Sequence, residues 1–163
     1  ITGAPYVIIH GDKPGGPLSD MDSILRFEKI YDLGAKNGVT ILQENVHKYR
    51  SGDISYLQKM KSILRNKAQF VFDIKQCVRS GYDPSFLVSI MGKGIKHVHI
   101  SDSDAYSDCL VPGIGQTDYV KLFHKLKSID YNGKIIIELY RKNFNKIEEL
   151  VEGCNYLSKL IKL

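Results

Sequence analysis

Five short apolar runs punctuate this chain, and each is followed by a segment with helical spacing. They are Tyr6–His10, Val39–Glu44, Gln69–Asp73, Ile95–Ile100 and Lys134–Leu139. Their apolar positions are rich in β-branched and aromatic residues, and clusters of Gly, Pro, Ser or Asp bound them, so they read as strands. The runs are apolar nearly throughout rather than at alternate positions, as in strands covered on both faces. A strand-then-helix unit repeated five times implies a parallel sheet joined by right-handed crossovers.

The intervening segments fix the helices. Ser19 or Asp20 caps a first helix with Ile24, Phe27, Ile30, Tyr31 and Ala35 at helical spacing, and Gly34 and Gly38 help to end it. Asp53 caps a second, with Ile54, Leu57, Met60 and Leu64 on one stripe. A short helix near Pro84–Met91 places proline in its first turn. Thr117 or Asp118 starts a further helix, with Val120, Phe123, Leu126 and Ile129 expected to face inward. The last helix carries Ile147, Leu150, Val151, Cys154, Leu157, Leu160 and Ile161, a stripe that calls for a packing partner. A long polar loop, Ser101 to Gln116, follows the fourth strand and contains Pro112-Gly113-Ile114-Gly115.

One polar side chain closes each strand: His10, Glu44, Asp73, His99 and Glu138. On adjacent parallel strands these five converge on one rim. Taken singly, a strand-end acid is commonly a helix cap, and His10 alone could be a satisfied buried histidine. His97 and His47 read as supporting residues. The set is another matter: three carboxylates brought together repel and need a counter-charge. A divalent cation supplies it, and oxygen donors with one imidazole suit Mn²⁺, Mg²⁺, Co²⁺ or Zn²⁺. Such an ion polarises an oxygen while a neighbouring carboxylate moves a proton.

Two architectures fit five such units, a doubly wound open sheet and part of a (β/α)8 barrel, and both keep their sites at the carboxyl ends of strands. No GxGxxG follows the first strand, which counts against a dinucleotide fold. The site argument favours the barrel. The fold expected is α/β, a parallel (β/α) barrel of the TIM type with only the last five βα units present, as a single domain over residues 1–163. Five units leave an open seam with unpaired edges, which invites a second chain and hence a homo-oligomer.

Size and composition narrow the function. The 163 residues suffice for one domain with a real core, and 43% hydrophobic with 25% charged residues excludes a disordered chain. No run of 18 apolar residues exists, so no membrane span is expected. The start lacks the layout of a signal peptide and lacks Met, so the sequence is expected to begin inside a longer protein. Cys77, Cys109 and Cys154 are odd in number and form no CxxC, which points to a reducing compartment, the cytoplasm, rather than to disulfides or a thiolate zinc site. The net charge of +5 rests largely on scattered helical lysines such as Lys59, Lys121 and Lys125, a solvated outer face more than a nucleic-acid site.

The motifs in order are Glu44-Asn45, Phe72-Asp73-Ile74-Lys75-Gln76, His99-x-x-Asp102, Pro112-Gly-x-Gly115 and Ile137-Glu138. Across essentially its whole length the chain resembles the last five units of the xylose-isomerase-like barrel superfamily, which holds sugar isomerases and epimerases and DNA-repair enzymes of the endonuclease IV type. The resemblance implies that Glu44, Asp73, His99 and Glu138 are the four ligands of one catalytic metal, and that the two glutamates pass a proton at a carbon beside a carbonyl. The reaction implied is isomerisation or epimerisation of a keto sugar, sugar phosphate or polyol through a metal-stabilised enediolate, with His10, Lys75 and Gln76 as substrate contacts. A dehydratase or lyase of the same group would share these features. Many members carry a histidine three residues after the metal-binding Asp, where this chain has Gln76. The repair enzymes need additional histidines, including one in the loop that here runs from Ser101 to Gln116 and has none, with Asp108-Cys109 near its place. The other readings are an endonuclease IV-like phosphodiesterase acting on abasic DNA and a catalytically incomplete barrel fragment.

Overall fold

A computed structural model describes residues 3–161, so the first two and last two residues of the expected domain lie outside the described ones. Its strands are β1 (Tyr6–Ile9), β2 (Thr40–Glu44), β3 (Phe70–Asp73), β4 (Ile95–Ile100) and β5 (Lys134–Ile137). They pair in chain order, every neighbouring pair parallel, and form a curled half-barrel with helices outside. The expected α/β fold, a TIM-type barrel in part, is what the chain adopts.

Among the described residues six α-helices cover the sheet: α1 (Asp20–Lys36), α2 (Ile54–Leu64), α3 (Ile74–Arg79), α4 (Pro84–Met91), α5 (Tyr119–Ser128) and α6 (Ile147–Ile161). Their starts are set by short polar side chains that satisfy otherwise unpaired backbone N–H groups. Ser19 rather than Asp20 caps α1: its hydroxyl accepts from the Asp22 N–H, and the Asp22 carboxylate accepts in return from the Ser19 N–H. Asp53 caps α2, Asp83 caps α4 ahead of Pro84, and Asp118 rather than Thr117 caps α5.

Alternation along the strands splits the sheet into two faces. Phe70, Phe72, Val98 and Ile100 point outward and are fully buried beneath Leu57, Met60, Leu87, Met91 and Leu122 of the helices. The inner face carries Ile8 and His10, Leu42 and Glu44, Val71 and Asp73, His97 and His99, and Ile136 and Glu138, as the register of partners requires. At the centre Leu42 and Val71 are fully buried, whereas Ile8 and Ile136 on the outer strands are 38% and 51% exposed.

Three details depart from the sequence reading. Helix α3 was not expected; it starts directly from the end of β3, with Asp73 as its cap. Helix α5 buries Leu126 and packs Phe123 and Ile129 against the core as expected, but it leaves Val120 exposed and buries Tyr119 and Leu122. Helix α6 buries Gly153 and Leu157, but Ile147, Val151, Cys154 and Ile161 of its apolar stripe are exposed.

Candidate metal centre

Glu44 and Asp73 end β2 and β3, His99 lies one residue from the end of β4, and Glu138 follows β5 directly. The Asp73–His99 pairing sets those two side by side, and the Glu138 N–H donates to the Ile100 carbonyl, so the ladder continues into the site. The result is a cluster in which one donor atom from each of the four residues lies within 4.8 Å of all the others. His99 Nδ1 stands 2.7 Å from Glu138 Oε2, 3.6 Å from Asp73 Oδ2 and 3.8 Å from Glu44 Oε1. Glu44 and Asp73 are buried, while Glu138 is 42% exposed and forms the open side.

The three remaining candidates are near but differently employed. His10, which follows β1, is exposed and places Nε2 3.2 Å from Glu44 Oε2. Lys75 is buried, with its ammonium 3.5 Å from Asp73 Oδ2 and 3.3 Å from Glu138 Oε1. The Oε1 of Gln76 accepts from the His47 backbone N–H at 3.0 Å and so ties the segment after β2 to α3.

Charge explains the protonation of the cluster. Burial works against a charged His99, but Asp73, Glu138 and Glu44 outweigh it and push the imidazole up to about 11. The same contact from His99 pulls Glu138 down to about 2. Burial raises the Asp73 carboxyl in spite of His99 and Lys75. Even so, Asp73 Oδ2, Glu138 Oε2 and His99 Nδ1 are buried without an aligned hydrogen bond. Three such atoms facing one point, with a fourth carboxylate beside them, fit a divalent cation.

Supporting residues hold these groups in place. Asp73 divides its carboxylate: Oδ1 accepts from the Gln76 N–H at the start of α3, and Oδ2 turns into the cluster. The Asn45 side chain grips the Asp73 backbone from both sides, donating to its carbonyl at 2.9 Å and accepting from its N–H at 2.7 Å. Buried Asp102 accepts from the backbone N–H groups of Ser103, Gly113, Gly115 and Thr117, so the His-x-x-Asp and Pro-Gly-x-Gly motifs are one unit. A Cβ on Gly115 would stand 2.5 Å from Asp102 Oδ1, which explains the glycine. His97 is buried with its ring 5.2 Å from that of His99. The sequence reading missed the ion pair of Arg79 with Asp108, at 2.6 and 2.9 Å, and the Arg79 bond to the Tyr140 hydroxyl at 3.1 Å. Partners 29 and 61 positions apart leave no local signal.

A parallel βα half-barrel with acids and a histidine gathered at the carboxyl ends of its strands defines a class of TIM-barrel protein. The chain belongs to the xylose isomerase-like TIM barrel family, whose model matches residues 2–160. It is 31% identical over 142 residues to an uncharacterized protein of Methanocaldococcus jannaschii, a match that takes in 83% of this chain and 47% of that one. Among solved structures, a D-tagatose 3-epimerase-like protein is similar with a TM-score of 0.77 and 25% identity over 98% of this chain and 62% of the other. The D-allulose 3-epimerase of Methylomonas sp. shares the fold, with a TM-score of 0.74 at 19% identity over 97% of this chain and 64% of the other. The chain thus spans about half the length of the curated relative and under two thirds of these structures.

Proposed function

We propose that this chain carries the catalytic rim of a divalent-metal-dependent sugar isomerase or epimerase. The observation that carries the reading is the convergence of Glu44, Asp73, His99 and Glu138 from successive strands, with Asp73 Oδ2, Glu138 Oε2 and His99 Nδ1 buried and held by charge contacts rather than aligned hydrogen bonds. In this reading those four residues hold the ion, Mn²⁺, Mg²⁺, Co²⁺ or Zn²⁺, which supplies positive charge beside the substrate oxygens when bound. Glu138 removes a proton from the carbon next to the carbonyl of a keto sugar, sugar phosphate or polyol-derived ketone. Glu44 exchanges the proton at the opposite side, and the pair runs the reaction through an enediolate. His10, exposed beside Glu44, contacts a substrate hydroxyl, while Lys75, buried against Asp73 and Glu138, and Gln76, which accepts from the His47 N–H, support the site from within. The epimerases among the structural neighbours support the reaction class. The free thiols of Cys77, Cys109 and Cys154 support a reducing compartment such as the cytoplasm, and no helix among the described residues is long and apolar enough to cross a membrane.

The test is proton exchange. Keto sugars incubated with the protein and Mn²⁺ in deuterated water should incorporate deuterium at the carbon beside the carbonyl, read by NMR. Glu138→Gln should lower that rate by about 10²- to 10⁴-fold, the usual weight of a general base. Full exchange by the Gln variant would overturn the assignment.

A further inference from the structure

We propose that Lys75 is a built-in counter-cation of the cluster, which holds the carboxylates together without metal and makes the site bind a divalent ion more weakly than its four ligands otherwise would. The inference rests on the reading of those four residues as a metal site. Lys75 lies in the first turn of α3, two residues after Asp73, and its side chain is only 3% exposed. Lysine is almost never buried this deeply unless paired. Its ammonium lies 3.5 Å from Asp73 Oδ2 and 3.3 Å from Glu138 Oε1, and 5.0 Å from the centre of the Tyr140 ring.

The decisive point is which oxygen it touches. Asp73 Oδ1 is committed to the start of α3, so Oδ2 is the one oxygen that Asp73 presents to the cluster, and this is the oxygen beside Lys75. An incoming cation and the ammonium therefore share a carboxylate and repel each other across it. Charge counting agrees. With His99 neutral as a ligand, Glu44, Asp73 and Glu138 contribute three negative charges, Lys75 one positive, and a divalent ion two more, which leaves the filled site neutral. Remove Lys75 and the filled site keeps one negative charge, so the pull on the ion grows.

The experiment measures Mn²⁺ binding by calorimetry on the native chain and on Lys75→Met, Lys75→Gln and Lys75→Arg, with thermal melts in chelator. The Met and Gln variants should bind at least about tenfold more tightly, an order of magnitude in keeping with a cation lost at near contact. Both should melt lower in chelator and gain more from Mn²⁺ than the native chain, and Lys75→Arg should behave like the native chain in both measurements. A Met variant that unfolds in chelator but refolds in Mn²⁺ supports the proposal equally. Equal, measurable affinity in the native, Met and Gln proteins would overturn the counter-cation and leave the metal site standing. Binding by the Met and Gln variants alone would support the counter-cation and overturn the metal reading of the native chain. Binding by none would overturn both.

Discussion

Asn45 steadies the site by a route that leaves every carboxylate untouched, since it holds Asp73 through its main chain. Asn45→Ala strands a buried N–H and a buried carbonyl at once. The expected loss is about 2–3 kcal/mol of folding stability, read by denaturant titration at neutral pH. A loss under about 0.5 kcal/mol would show that the grip is incidental. A second residue-level test concerns Asp108, whose carboxyl is held below its ordinary value by the hydrogen bonds from Arg79. A depressed acid stabilises the fold above its unfolded pKa and loses that effect as pH falls through its folded one. Asp108→Asn should thus cost about 1 kcal/mol at pH 7, and the gap to the native protein should close below the usual carboxylate range. Melts at several pH values check it, and a gap that widens in acid would contradict the sign.

At the scale of elements, α5 shows where sequence reasoning reaches its limit. Val120, Phe123, Leu126 and Ile129 keep helical spacing, and so do Tyr119, Leu122 and Leu126; only the sheet decides how deeply each is covered. Leu126 is buried and Phe123 and Ile129 pack against the core, but Leu122 is fully buried where Val120 is 44% exposed. Leu122→Ala should cost about 2–5 kcal/mol and Val120→Ala under about 1, compared by chemical denaturation. Reversal of that order would refute the observed burial of Leu122. The strands were legible because a fully apolar run has few other uses in a chain of this composition, and the four cluster residues because each lies at or beside the end of one. Helix α3 was hidden for two reasons: it has six residues, and its cap is Asp73, which the strand pattern had already claimed. Asn45 stood in the Glu44-Asn45 motif, but its grip on Asp73, like the Arg79–Asp108 pair, was hidden because the partners lie far along the chain, where only folding brings them close.

At the largest scale the governing fact is that the sheet of the described residues is unclosed. Tyr6, Val7 and Ile8 on β1 and Ile136 on β5 are exposed apolar residues on strands with one free edge among the described residues. Such edges attract further strands. Light scattering over a concentration series should show mass rising above the 18.4 kDa of one chain, and a constant 18.4 kDa would disprove self-association. The cluster and this open shape are also joined in a way that reaches beyond chemistry. Its four members sit on or directly after β2, β3, β4 and β5, so their mutual distances record how tightly the sheet bends. An ion gripping all four at once would act as a clasp across that arc, resisting any flattening, and its binding energy would appear as extra resistance to heat.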